Sequence, residues 1–249
     1  MVTAHPETNE AAVAAASQGL VCGVDLGSKQ DYTAIMLLEV EKRLTDVERF
    51  THLPLEAREH IIRNGQYKGQ GVKRENHFVA RIVKRLPLGT TYPDVVNYLK
   101  NVDRQLAART GGDDVFYVVD ATGLGQPVVD YLGREIEPAR VKAVYITAGR
   151  DASFDKGELH VPKQELVSML QVMIQTGRIH LPRTQEAMAM QDELSNFELK
   201  VRTTGTLELG ALRTGTHDDL VNALGLAVFY WQNRRIPRHR IISMRRLGQ

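Results

Sequence analysis

Leu20-Val21-Cys22-Gly23-Val24-Asp25-Leu26, the run LVCGVDL at positions 20–26, is where the fold starts. It is short, rich in β-branched residues and nearly continuously apolar, which is the pattern of a strand buried on both faces. A strand of that kind belongs inside a sheet covered by helices on each side, and this one ends on an acid. Outward from it, a Gly-Ser-Lys-Gln-Asp turn at 27–31 leads to YTAIMLLEV at 32–40, which reads as a second strand. HFVARIVKRL at 77–86, with Phe78, Ala80, Ile82 and Leu86 on one parity, reads as a third. The three are expected to form an antiparallel meander. The charged segment 41–76, with Gly65, Gly69 and Gly71, is expected to be an insertion carrying an extra strand and a short helix.

From Pro93 the apolar period changes. Val95, Val96, Leu99, Val102 and Leu106 recur at helical spacing, with Pro93 in the first turn and Gly111-Gly112 as the stop. A strand over 115–119 ends at Asp120, a glycine-rich turn follows at 121–125, then a short helix around 127–132 and a strand at 141–146. Strand, helix, strand in alternation is the signature of parallel crossovers. Further helices are expected over 162–177 and 185–197, a hairpin over 199–212, and a last helix from about His217 through Leu220, Leu224, Ala227, Val228 and Trp231. The fold class that follows is α/β, a mixed sheet with an antiparallel meander and parallel strands, flanked by helices.

The 249 residues, 25% charged and 43% hydrophobic, are enough for a buried core without disulfides or a structural metal. The single cysteine, Cys22, lies in an apolar run and permits neither a disulfide framework nor a cysteine zinc site. No apolar stretch approaches a membrane span, and the first residues carry Glu7 and Glu10 rather than a basic secretory leader, so a cytoplasmic protein without membrane contact is expected. The net charge of +2 conceals an asymmetry: residues 220–249 hold six arginines and no acid, leaving 26 basic against 30 acidic side chains before them. The expected organisation is a leader at 1–18, one domain at 19–233 and a basic tail at 234–249, the tail being a handle for phosphate or a solvated end.

Three acidic positions stand at the ends of elements: Asp25, Asp120, and the pair Asp218-Asp219. In an open α/β sheet the carboxyl ends of neighbouring parallel strands face one crevice, so Asp25 and Asp120 lie side by side if their strands are adjacent. Crowded carboxylates repel, and one of them holds its proton unless a cation neutralises the group. Oxygen-only donors suit a hard divalent ion such as Mg²⁺ or Mn²⁺ rather than zinc. Each acid also has an ordinary reading, Asp25 and Asp120 as turn formers and Thr216 to Asp219 as a helix cap. Gly27 and Gly123-Leu124-Gly125 allow a close backbone approach to a phosphate or a metal-bound ligand. No Gly-Lys dipeptide exists for a P-loop, position 128 is Val where a dinucleotide fingerprint needs Gly, and Ser28 and Ser153 lack a nucleophile-elbow context.

Taken together, GVDLGSKQDYTA, VVDATGLGQPVVDYL, VPKQELVSMLQVMIQTGRIHLP and GTHDDLVNALGLAV resemble the nuclease domain of viral (bacteriophage) large terminase subunits, over most of residues 19–232. The resemblance implies a ribonuclease H-like fold and a metal-dependent endonuclease that cuts concatemeric viral DNA during genome packaging. It implies metal ligation by Asp25, Asp120 and one or both of Asp218 and Asp219, with Asp120 at a position often occupied by Glu. The expected chemistry is two-metal phosphodiester hydrolysis with Mg²⁺ or Mn²⁺, in which Asp25 bridges two ions, Asp120 completes one site and Asp219 the other, Asp218 being the alternative. The implied partners are double-stranded DNA, a packaging ATPase supplied as a separate domain or subunit, and the portal and small terminase subunit, all in the host cytoplasm. Candidate DNA contacts are Lys29, Lys156, Lys163, Arg234, Arg235 and Arg238. The alternatives are another ribonuclease H-like nuclease such as a junction resolvase, an actin- or sugar-kinase-like ATPase imitated by Asp25-Leu26-Gly27, and a non-catalytic packaging module.

Overall fold

A computed structural model describes residues 16–27, 31–44, 74–110, 115–123, 125–148, 151–155, 158–204 and 218–234. Strands β1 (Ala16–Asp25), β2 (Ala34–Leu44) and β3 (Arg74–Arg85) form the expected antiparallel meander. Helix α1 (Tyr92–Thr110) then leads to β4 (Val115–Asp120), which pairs parallel to β1, with Val24 opposite Val119. Helix α2 (Gly125–Glu135) and a 3₁₀ turn at Pro138–Arg140 lead to β5 (Val141–Thr147), parallel to β4. The short strands β6 (Ser153–Asp155) and β7 (Glu158–Pro162) extend that edge, and β8 (Ile179–His180) closes the other beside β3. The eight-stranded order is β6-β7-β5-β4-β1-β2-β3-β8, a mixed sheet of antiparallel and parallel pairs flanked by helices, as the expected fold class requires.

Helices α3 (Lys163–Gln175), α4 (Gln185–Thr204) and α5 (Asp219–Asn233) complete the described elements. Side chains alternate between the two faces of β1 and β4, and so divide the core in two. Leu20, Cys22 and Val24, with Tyr117 and Val119, pack against Val95, Val96 and Leu99 of α1 and Leu132 of α2. Val21 and Val118 face the other way, onto Leu166 and Leu170 of α3 and Leu220, Leu224 and Val228 of α5. Each of these large side chains contributes roughly 1.5–3 kcal/mol by leaving water, so both faces are strongly anchored.

Helix α5 lies along β1 with almost nothing between the two backbones. A Cβ on Gly23 would stand 1.8 Å from the Ala223 carbonyl oxygen, and one on Gly19 would stand 3.0 Å from the Trp231 ring. Residues 223 to 231 of a helix advance about 12 Å, and residues 23 back to 19 of a strand about 13 Å, so α5 runs antiparallel to β1 in matched steps. Its first turn is thereby set over the end of β1 that carries Asp25. Gly225 repeats the device toward α3, a Cβ there falling 3.2 Å from Leu166 Cβ, which draws the start of α3 to the start of α5.

Three expectations change. Strand β1 begins at Ala16, inside the expected leader, because Ala16 and Ser17 continue the ladder opposite Lys42 and Glu41. The hairpin expected from Leu199 is helical through Thr204, the helix continuing past the point where apolar periodicity fades; positions 205–212 lie outside the described residues, as do 45–73 of the expected insertion and 235–249 of the tail. The strands β6, β7 and β8 were not anticipated, being two to five residues long and too short to show a period. Gly23→Ala is expected to lower stability by about 3 kcal/mol, the upper end for an overpacked site, because the obstacle is a backbone carbonyl; the urea midpoint of purified protein measures it.

Candidate active site

Asp25 and Asp120 close adjacent parallel strands, one residue beyond the Val24–Val119 pair. Each has the parity of the residues facing α5, Asp25 that of Val21 and Gly23, Asp120 that of Val118. Across the meander the row continues through Ala34, opposite Asp25, to Arg85, opposite Ala34. One end of the sheet, on one face, therefore presents Asp120, Asp25 and Arg85 to the first turn of α5. The side-by-side placement expected for the two strand-end acids is what the strand register produces.

Asp120 also forms the turn its type favours: its Oδ1 accepts the Thr122 backbone N–H at 2.8 Å. Thr122 in turn accepts the Ile146 N–H at 2.9 Å, tying that turn to β5. Gly125 lets the chain double back, since a Cβ there would lie 2.2 Å from the Asp120 carbonyl oxygen. On the other side of the site, the Gly27 N–H donates to Thr33 Oγ1 at 3.0 Å, closing the β1–β2 turn behind Asp25.

The first turn of α5 departs from the capping expectation. Asp218 occupies the N-cap position but makes no side-chain capping bond. The Val221 N–H donates at 3.3 Å to Oε2 of Glu193, a buried acid on α4. The Asp218 carboxylate is thereby left for other partners: Lys163, the first residue of α3, binds its Oδ2. Asn222 Nδ2 lies 3.5 Å from Asp218 Oδ1 while donating to Asp25 Oδ2 at 2.9 Å. Asp219 turns to Arg85, whose Nε donates at 2.8 Å to Oδ2 and whose Nη2 reaches Oδ1 at 3.4 Å. Arg85 also pairs with Glu193 and stacks 5.5 Å from the centre of the Tyr32 ring.

Burial pushes the Asp25 carboxyl up to about 8; the Asn222 hydrogen bond opposes this, and the neighbouring Asp120, Asp218 and Asp219 charges reinforce it. A carboxyl so placed either keeps its proton or requires a cation. The acids supply only oxygen, which fits a hard divalent ion, and Asp25 lies centrally among them. Among the described residues no three His, Cys, Asp or Glu side chains stand at ligating spacing as placed, and Lys163 and Arg85 are paired with two of the four acids.

Lys163, named from sequence as a DNA contact, is thus engaged with Asp218. Arg234 bonds the Trp231 carbonyl at 3.2 Å and lies over the Trp231 ring, folded onto the end of its own helix. Lys29, Lys156, Arg235 and Arg238 lie outside the described residues. Sequence reasoning missed Asn222, Arg85 and Glu193. Asn222 sits four residues after Asp218, so helical spacing could have found it; Arg85 and Glu193 carry no local signal.

No family profile and no curated protein matches the chain. Among solved structures, the chain is similar to the large terminase nuclease of thermophilic phage G20c, at 18% identity over 86% of this chain and 82% of that one, with a TM-score of 0.43. It is also similar to the human cytomegalovirus terminase nuclease domain. For the Mn-soaked, inhibitor-bound form, identity is 10%, coverage is 86% and 83%, and the TM-score is 0.47. For the Mn-soaked form, identity is 10%, coverage is 89% and 87%, and the TM-score is 0.46.

The folded chain keeps the Asp25 proton up to about pH 8, whereas an unfolded carboxyl loses it near 3.8. Between those values ionisation opposes folding, so the group's contribution is present at low pH and is lost as pH rises through 8. In cation-free buffer, Asp25→Asn is expected to melt a few degrees above wild type near pH 5 and by a margin about three times wider near pH 8. Melting curves across that range measure the difference, and a bound divalent cation is expected to raise the wild-type midpoint only.

Proposed function

We propose that this chain is a metal-dependent DNA endonuclease of the terminase type, cutting concatemeric viral DNA by two-metal phosphodiester hydrolysis. The observation that carries the reading is the convergence on half-buried Asp25 of Asp120, from the adjacent parallel strand, and Asp218-Asp219, from the helix laid over both. Asp25, Asp120 and the Asp218-Asp219 pair would hold the ions, Mg²⁺ or Mn²⁺. Bound there, such ions supply Lewis-acid charge to a phosphoryl oxygen and a more acidic water. Asn222 fixes the orientation of Asp25, and the Thr122 N–H fixes that of Asp120. Arg85 and Glu193 hold the first turn of α5 in place, so the acids are positioned before any substrate arrives.

The substrate class is double-stranded DNA, contacted through its backbone, so cutting is largely independent of sequence and falls with salt. The products carry 5′-phosphate and 3′-hydroxyl ends. A packaging ATPase, as a separate domain or subunit, delivers the DNA, with portal and small terminase subunits as further partners in the host cytoplasm. Among the described residues no helix is long and apolar enough to cross a membrane.

Asp25→Asn and Asp120→Asn are each expected to reduce Mg²⁺- or Mn²⁺-dependent plasmid cleavage by about 100-fold or more while leaving the chain folded. Undiminished cutting by either variant rejects the assignment. A panel of linear duplex, four-way junction and RNA:DNA hybrid tests the substrate class; preference for the junction makes the protein a resolvase.

A further inference from the structure

The two basic side chains at the start of α5 are held in unequal ways. Arg85 bonds Asp219 through two nitrogens, pairs with buried Glu193 and lies beside the Tyr32 ring. A planar guanidinium fixed between two carboxylates is a permanent tie, since removing it leaves two buried charges uncompensated. Lys163 presents a single flexible ammonium to Asp218. It is also the first residue of α3, preceded by Pro162 with no side-chain cap. The positive end of a helix disfavours an ammonium there, so Asp218 retains Lys163 against the field of its own helix. Asp218 is also the acid of the pair that approaches Asp25, both lying against the Asn222 amide.

We infer that Lys163 is a placeholder cation: it keeps Asp218 turned toward Asp25 and Asp120, and gives up that carboxylate when a divalent ion enters. The inference rests on the metal-dependent reading above. Lys163 is a positioning residue, acting through Asp218, and Asp218 rather than Asp219 is the exchangeable member of the pair. The physical consequence is competition. A positive charge that must leave before a cation binds weakens the binding, and removing that charge strengthens it.

Calorimetric titration of the full chain with MnCl₂ tests this. Lys163→Met is expected to bind Mn²⁺ about three- to tenfold more tightly than wild type, the range for loss of one partly screened competing charge. Lys100→Met, which removes a lysine paired with Glu135 at a different place, is expected to leave the affinity unchanged. Asp218→Asn is expected to weaken Mn²⁺ binding and to abolish the effect of Lys163→Met in the double variant. Arg85→Met is expected to lower the melting temperature without tightening Mn²⁺ binding. Unchanged or weaker binding by Lys163→Met overturns the inference, as does tightening in Arg85→Met alone, which assigns the exchange to Asp219. Should Lys163→Met fail to fold, Lys163→Gln is read against the same outcomes. A folded wild type that takes up no Mn²⁺ defeats the metal reading together with this inference, whereas Mn²⁺ uptake that Lys163→Met does not alter defeats this inference alone.

Discussion

The approach of the Ala223 carbonyl to Gly23 is the contact on which the site depends. Any side chain at position 23 would lift α5 from β1, and with it the first turn that carries Asp218, Asp219 and Asn222. Two residues further along the same strand face, Asp25 meets that turn from below. The strand step places them in order: Gly23 admits the helix and Asp25 meets its amide, both on the face opposite Val24. Gly225 does for α3 what Gly23 does for α5, and so brings Lys163 to the same end of the sheet. Packing and electrostatics are thus one arrangement, since the small residues that allow the layers to close also decide which charges meet.

That closure has an electrostatic consequence. Asp25 is withdrawn from water among other acids, and its carboxyl rises to about 8. The fold accommodates the remaining negative charge with Arg85, anchored on both Asp219 and Glu193, and with Lys163, held at Asp218. Glu193 matters twice, pairing with Arg85 and accepting the Val221 N–H that a capping side chain would otherwise take. With the cap supplied from α4, the Asp218 carboxylate is released from a local role and turned toward the sheet.

The fold was legible where long elements carried a period. The buried run at 20–26, the alternating strands that follow, and the helical spacing after Pro93 correspond to β1, β2, β3 and α1 within a few residues. Strands β6, β7 and β8 were not, because two to five residues do not make a pattern, and each exists only by pairing with a neighbour. The continuation of α4 to Thr204 was missed for a related reason: the β-branched Val201, Thr203 and Thr204, followed in sequence by Gly205, read as a hairpin, whereas the helix runs on through Thr204. Asp25, Asp120, Asp218 and Asp219 stood out by position at element ends; Arg85 and Glu193 are charges on a strand and a helix, with no local feature to mark them.

Local periodicity and residue type are written along the chain, and they suffice to say which acids close the strands and open the last helix, and that their donors are oxygen. That Asp218 forgoes capping for Lys163 and Asn222, and that Asp219 pairs with Arg85, emerges from the packed molecule alone. Those choices follow from which helix start is carried onto which strand end, a matter of contacts between residues dozens of positions apart that no local pattern encodes.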